Sequence, residues 1–460
     1  MITYPGYDDV IQRALRHGQR HLFTLWNDCD DSEKKRLLDD IAAVDFDLLS
    51  RLYRQAAAPD AAMSMYEPAP YIALPHDAAS HAAFSEARDK GVDHIKKGKA
   101  AAFVVAGGQG SRLGFDGPKG IFPVGPVTGK SLFQIHAEKI LKYAEKYGVS
   151  IPWLVMTSQA NHEATAEYLK SRGRFGLDEK DVILFAQNMI PSLDTAGKLI
   201  LESKCSIFKN PDGHGGSLTA LASSGALAEV DRRGIDVISY FQVDNPLVNI
   251  IDPVFIGFHV TRNANVSSKG LMKAYPEEKI GVFVKFEGGE IGVIEYSDLP
   301  EKLQNSVDAT GRLSYCMGSI AIHLFSVPFI KTITDGSGVS LPFHIARKKI
   351  AAYGPDGAAE IDGFKFEKFV FDALPLTDRN IVLEIRREDE FAPVKNKTGV
   401  DSLETAQELM VNQHRQWLEK SGVQIPPSAK IIEISPLRAV DAGDITGGIT
   451  LPDEERIYLE

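Results

Sequence analysis

Directly after the apolar run Ala101–Ala106 the chain reads GGQGSRLGFDGPKG, residues 107–120. Glycines at 107, 108 and 110 admit positive φ and close backbone approach, so successive N–H groups can converge on the oxygens of a phosphate. Arg112 and Lys119 add two fixed positive charges to the same loop. Such a loop can bind a polyanion and stabilise charge on a departing phosphate. Two other phosphate loops nearly fit and fail. A dinucleotide fingerprint counted from Gly108 and Gly110 needs glycine at 113, where Leu113 stands, which argues against a nicotinamide-dependent oxidoreductase. A P-loop ending at Gly129-Lys130-Ser131 needs glycine at 124, where Val124 stands.

No HExxH, no GxSxG and no Cys–His pairing suggests hydrolytic or covalent catalysis. Chemistry among phosphates does not require them, because positioning and electrostatics supply most of the rate. The formal charge of −11 argues against a nucleic-acid surface, so any cations that meet an anionic substrate must be local. No apolar window is long enough to span a membrane, and the start MITYPGYDDV lacks the pattern of a signal peptide. Cys29, Cys205 and Cys316 show no CxxC spacing, so neither a disulfide framework nor a zinc site is expected and a reducing cytoplasm fits best.

The elements that must position the loop follow from hydrophobic pattern. AAFVVA (101–106), WLVMTS (153–158), DVILFAQ (181–187) and VISYFQVD (237–244) are short apolar runs of the kind found in buried parallel strands. Amphipathic stretches at Ser131–Tyr143, His162–Ser171 and Ser217–Arg232 alternate with them, which predicts right-handed βαβ units. Segment 269–325 carries strand-like alternation that extends the sheet. Residues 1–55 read as helical: Ile11, Leu15, Leu22 and Trp26 share a face, and a second helix, capped by Asp30 or Asp31, carries Leu37, Ile41, Leu48 and Leu52. An Ala- and Pro-rich stretch from about 56 to 80 reads as an extended connector. The expected architecture is α/β, a doubly wound (Rossmann-like) mixed sheet with a helical N-terminal region and connector (1–97), a Rossmann-like core (98–385) and a small C-terminal domain (386–460).

The loop pattern G-G-x-G-[ST]-R-L-G followed by P-K resembles the nucleotide loop of the eukaryotic-type UDP-sugar pyrophosphorylases. PDGHGG (211–216), QVDNPLV (242–248), GVIEYSDL (292–299), KFEKFVFD (365–372) and REDEFAPVKN (387–396) follow in that family's order, and EPAP (67–70) precedes them. The resemblance covers roughly residues 65–400 and is nearest to the UDP-N-acetylglucosamine branch.

It implies an Mg²⁺-dependent enzyme that joins UTP to a hexose 1-phosphate, foremost N-acetylglucosamine 1-phosphate, with glucose 1-phosphate as the alternative substrate. A non-catalytic UDP-sugar sensor is the reading of another class; it has no need of the cations kept at 112, 119 and 395. By this resemblance Arg112, Lys119 and Lys395 carry catalysis. Ala106, Gly107, Gly108, Lys119, Gln187, Gly213, Asp244 and Lys365 meet the nucleotide, with Gln187 reading uracil and Asp244 holding the metal. His214, Glu295, Tyr296 and Lys395 meet the sugar phosphate. The site is expected between the central sheet and a segment bearing Lys365 and Lys395.

Three positions, in two motifs, depart from the branch. His214 stands where it carries asparagine, and Ser319 and Ile322 of GSIAIH replace two asparagines near the sugar. Lost amides mean lost hydrogen bonds to sugar substituents, the contacts that discriminate best.

Overall fold

The computed structural model describes residues 2–56, 66–336, 338–446 and 448–460. The apolar runs form the parallel centre of a ten-stranded mixed sheet. In chain order its strands are β1 (Tyr66–Pro68), β2 (Ala100–Val105), β3 (Trp153–Thr157), β4 (Val182–Ala186), β5 (Val237–Gln242), β6 (Val266–Met272), β7 (Val282–Phe286), β8 (Ile291–Ile294), β9 (Met317–Ser326) and β10 (Asn380–Ile385). The spatial order is β1-β7-β9-β5-β2-β3-β4, with β6 joining β9 and β10 and β8 joining β7. Strands β5, β2, β3 and β4 pair in parallel, whereas β9 runs antiparallel to β5 and β6. Every residue of β2 and β3 is buried. Burial on both faces is why those strands read as continuous apolar runs rather than alternating ones. Because the four central strands share one direction, the segments that follow them leave the sheet along one edge.

Helix Leu132–Tyr147 follows the glycine loop, its N-terminus capped by the Ser131 hydroxyl accepting from the Gln134 N–H at 3.2 Å. Helix His162–Ser171 has the bounds read from the sequence. The stretch expected as one helix over 217–232 is instead two, Gly216–Ser223 and Ala226–Arg232, separated at Gly225 with φ +83°. The second N-terminal helix is likewise two, Asp31–Ala42 with Asp30 as its cap and Phe46–Ala56.

Helix Ala78–Lys96 was not expected from the pattern; the connector reading covers its start. Only Ala87, Gly91 and Ile95 of its nineteen residues are buried, so small residues mark its inner face and no apolar stripe announces it. It packs on Pro253–Thr261, with Phe84 edge-on to Phe258 at 5.1 Å. Residues 57–65 of the expected connector lie outside the described residues.

The chain forms two compact units. One draws on residues 1–63, 188–216 and 341–370, the other on 64–187, 217–340 and 371–460. The expected boundaries at 97 and 385 both fall inside the second unit, since compactness gathers segments that chain order separates. Within it, residues 418–457 enclose a small apolar cluster of their own around Leu418, Ile432, Ile434 and Ile457. The first unit packs its N-terminal helices onto strands near residues 190–207, with Ile11, Leu22, Leu37, Ile41, Leu49, Leu52, Ile207 and Phe366 in one apolar cluster. No described helix is long and apolar enough to cross a membrane.

Contrary to the expectation from spacing, two of the three cysteines pair. Cys29 and Cys205, 176 residues apart, are joined by a disulfide, with Cα atoms 6.4 Å apart. Spacing rules detect local pairs, and only the fold makes this one local. Closing so long a loop stabilises the folded unit by about 5 kcal/mol in the chain-entropy account. Reduction should therefore lower the melting temperature of the first unit by about 15–20 °C. Calorimetry of the wild type and of Cys29→Ser, each with and without reductant, tests this; wild-type melts that ignore reductant would remove the role.

Candidate active site

The glycine loop is a tight structure built on its own backbone. Gly110 N–H donates to the Gly117 carbonyl at 2.9 Å and Lys119 N–H to the Gly108 carbonyl at 3.0 Å, so Lys119 lies alongside Gly108 as in a short antiparallel ladder. Asn161, which the sequence reading did not name, braces the loop from below. Its Nδ2 donates to the carbonyls of Ala106 at 3.0 Å and Gly108 at 3.3 Å, while its Oδ1 accepts from Ser158 N–H at 2.8 Å. A Cβ at Gly107 would stand 3.3 Å from the Ser158 nitrogen and 3.4 Å from Gln187 Oε1. Glycine there brings the loop backbone close to the amide of Gln187, itself buried at the end of β4 with its N–H on the Thr157 carbonyl at 2.7 Å. Arg112 points away from the core and is exposed.

Asp244 follows β5 and meets this loop directly. Lys119 Nζ lies 2.7 Å from Asp244 Oδ2, and the two side chains retain only 14% and 15% of their exposure. The backbone around Asp244 is held from two sides. From helix Leu132–Tyr147, His136 Nε2 contacts the Val243 carbonyl at 2.9 Å, and Lys139 Nζ donates to the carbonyls of Pro246 at 2.6 Å and Val248 at 2.9 Å. Burial lowers the pKa of His136 to about 3, so the ring is neutral and donates through Nε2–H. Burial likewise brings Lys139 down to about 7; either protonation state keeps the two N–H groups that the carbonyls use.

From the other side the segment 390–395 docks. Val394 N–H donates to the Asp244 carbonyl at 2.9 Å, and buried Asn245 accepts from Ala392 N–H at 3.0 Å while donating to the Glu390 carbonyl at 2.6 Å. Lys395 follows immediately, partly exposed, with Nζ 3.7 Å from Asp401 and over the Phe391 ring at 5.6 Å. Lys397, also unnamed in the sequence reading, lays its side chain beside Gly114 of the glycine loop.

Gly213, His214 and Lys365 belong to the other unit, so Lys365 and Lys395, expected on one segment, are in separate units. There the PDGHGG turn lies against the backbone of 368–370. Lys368 N–H donates to the Asp212 carbonyl at 2.7 Å, and Gly215 N–H to the Lys368 carbonyl at 2.8 Å. Gly213 has φ +83°, and a Cβ there would come within 2.4 Å of the Lys368 carbonyl oxygen, so no other residue fits without displacing that backbone. His214 stacks on Phe369 at 5.3 Å and accepts from Val370 N–H at Nδ1, 3.1 Å, which fixes its proton on Nε2. Lys365 Nζ stands over the Phe208 ring at 5.4 Å. Burial lowers the pKa of neighbouring Lys368, against the pull of Asp212.

Glu295 and Tyr296 form the turn after β8, where the Glu295 carbonyl accepts from the N–H groups of Asp298 and Leu299, and Tyr296 is 39% exposed. Ser319 and Ile322 flank a bulge in β9, where Ala321 takes φ +55°. Ile322 is buried in the main core and Ser319 is half-buried. The two replacements therefore differ in consequence: an apolar residue at 322 serves packing, while 319 keeps a polar group near the surface.

Residues 72–439 match the family described as UTP–glucose-1-phosphate uridylyltransferase. The chain belongs to this family. It is 36% identical to UDP-N-acetylglucosamine diphosphorylase 2 of Arabidopsis thaliana, over 95% of this chain and 90% of that one. A human protein, UDP-N-acetylhexosamine pyrophosphorylase-like protein 1, is 34% identical over 93% of this chain and 92% of its own. The structure superposes on the UDP-N-acetylglucosamine pyrophosphorylase of Trypanosoma brucei with a TM-score of 0.82 and 28% identity, covering 96% and 95% of the two chains. Seen as a member of this uridylyltransferase family, the chain gathers loop 106–120, Gln187, Asp244 and the 390–397 segment in one unit through explicit hydrogen bonds and ion pairs. Asn161 and Lys139 were invisible to motif reading because their partners are carbonyls distant in sequence.

Proposed function

We propose that the chain transfers the uridylyl group of UTP to N-acetylglucosamine 1-phosphate. A phosphate oxygen of the sugar phosphate forms a bond to the α-phosphorus of UTP; the bond from that phosphorus to the bridging oxygen breaks, and pyrophosphate leaves with the electron pair. The nucleophile is already ionised at neutral pH, so the reaction needs no general base. What opposes it is repulsion between polyanions, which positioned cations relieve. The single observation that carries the reading is the Lys119–Asp244 contact of 2.7 Å beside the glycine loop, at the carboxyl edge of the parallel strands where ligands bind in such sheets.

In this reading Arg112 and Lys119 bind the triphosphate and stabilise the leaving pyrophosphate, with backbone from Ala106, Gly107, Gly108 and Gly213 around the nucleotide. Gln187 reads uracil, Lys365 meets a nucleotide phosphate, and Lys395 meets the sugar phosphate. His214, Glu295 and Tyr296 meet the sugar. Asp244 is the residue that would hold Mg²⁺. Magnesium is bound by one or two carboxylates, with substrate phosphates and water completing its shell. Among the described residues no other carboxylate, histidine or cysteine joins Asp244 in a cluster of three ligand groups, and the one such cluster, Cys29, Glu33 and Cys205, is elsewhere and has its two sulfurs in the disulfide, so a lone carboxylate here fits a metal that arrives with the nucleotide. When bound, magnesium supplies charge neutralisation between phosphates.

The relatives named for UDP-N-acetylglucosamine, at 35–36% identity over more than nine-tenths of the chain, support the acetamido sugar. Pyrophosphate release should be measured with UTP, Mg²⁺ and the 1-phosphates of glucose, galactose, N-acetylglucosamine and N-acetylgalactosamine. N-acetylglucosamine 1-phosphate should give the highest kcat/KM. Preference for glucose 1-phosphate would overturn the sugar assignment, and UTP binding without release from any sugar would favour a sensor.

A further inference from the structure

We infer that Glu390 and Lys269 are positioning residues for uridylyl transfer, forming a buried ionic clamp that holds the Asp244 loop in register with the segment leading to Lys395. The inference rests on the reading of Asp244 as the metal-holding carboxylate. Lys269 lies in β6 with no exposure at all. Its ammonium has three N–H groups, and three carboxylate oxygens face it: both of Glu390 at 2.6 Å and Asp252 Oδ2 at 2.7 Å. Burial alone would favour loss of its proton, but the two carboxylates outweigh that and hold its pKa above the usual lysine value.

Each carboxylate in turn organises backbone. Asp252 caps helix Pro253–Thr261, accepting from Val254 N–H at 2.9 Å and Phe255 N–H at 3.3 Å. Glu390 Oε2 accepts from Asn249 N–H at 3.3 Å, and the Glu390 carbonyl accepts from Asn245 Nδ2 at 2.6 Å. The stretch 244–252 is thus tied to 390–394 through Asn245, Asn249, Asp252 and the Asp244 carbonyl. The sheet makes room for the clamp: opposite β6 the register steps from Ser268↔His323 to Gly270↔Ser319, so the bulge in β9 lies across from Lys269.

A fully buried lysine with two carboxylates is a poor way to gain stability, since well-packed apolar residues of similar volume are commonly as stable or more so. What apolar packing lacks is direction. Three short charged contacts specify where residues 252 and 390 stand, and through Glu390 residue 249 as well, and a displacement of 1 Å at a reacting group costs about 10²-fold in rate.

Glu390→Gln in the full-length chain removes one charge while keeping side-chain size and the main-chain carbonyl that Asn245 uses. We expect kcat to fall about 10–100-fold with KM for UTP changed less than about threefold, and the Mg²⁺ concentration for half-maximal rate to rise several-fold. A lower melting temperature with kcat and Mg²⁺ requirement unchanged would overturn the inference, because a merely structural pair moves stability alone. If Glu390→Gln does not fold, Asp252→Asn takes the other carboxylate charge from Lys269 while keeping a side-chain oxygen for the helix cap, and the same three quantities decide. Asp244→Asn is assayed alongside. Full turnover there would overturn the metal reading and the clamp with it. Loss of turnover there with normal kcat in Glu390→Gln would overturn the clamp alone.

Discussion

Replacing Lys119 with alanine should reduce turnover about 10²–10³-fold while the protein stays folded, the usual loss when one preorganised charge is taken from a developing anion. The structure explains why fold and function separate here. Lys119 is held by its backbone, through the bond from its N–H to the Gly108 carbonyl, and that bond survives side-chain truncation. The ammonium lies at the surface of the loop, where its partner is the Asp244 carboxylate. Truncation leaves that carboxylate without its cation, but 15% exposure allows water to reach it. The loss should appear mainly in kcat if Lys119 stabilises the leaving pyrophosphate, and mainly in KM for UTP if it only holds the triphosphate. Lys119→Arg should restore little, because a planar fork does not reproduce a point charge at the same distance. Steady-state kinetics beside a thermal melt decides this, and wild-type turnover in Lys119→Ala would remove Lys119 from the mechanism.

Asp244→Asn should lose turnover to a similar degree, about 10²-fold or more, for a different reason. The amide keeps shape and hydrogen bonding but not the charge that a divalent cation requires. The loop should keep its place, since it is fixed by the Val394 N–H on the Asp244 carbonyl and by the His136, Lys139 and Asn245 contacts on either side. The discriminating measurement is the dependence of rate on Mg²⁺. The variant should need a markedly higher concentration for its residual activity, whereas Lys119→Ala should not. An unchanged Mg²⁺ dependence in Asp244→Asn would move the metal to another group.

These two residues also show how far a linear reading reaches. Lys119 and Asp244 are 125 positions apart. Each was legible as a candidate because its local context was informative: a glycine loop after a buried strand, and a carboxylate ending another. Their direct contact follows from β2 and β5 being adjacent and parallel, so both segments leave the sheet along one edge. Helix Ala78–Lys96 was illegible for the opposite reason. Of its nineteen residues only Ala87, Gly91 and Ile95 are buried, too few large apolar side chains to stand out in hydropathy. The break at Gly225 and the division of the second N-terminal helix depend on a few turn residues inside long helical patterns, where periodicity alone finds no boundary.

By itself the sequence determined the central βαβ pattern, the glycine loop with Arg112 and Lys119, the carboxylate at 244 and the family to which these motifs belong. All are short-range properties, in which neighbouring residues carry enough information to name the element. The tertiary structure alone decided the rest. It joined Cys29 to Cys205, put Lys365 and Lys395 in separate units, and buried Ile322 in the core. It also set Asn161, Lys139, Lys269 and Glu390 around the loops of the candidate site. Those side chains act on partners far along the chain, many of them backbone carbonyls or N–H groups that every residue carries. No local pattern marks such a partner until folding brings it within hydrogen-bond distance.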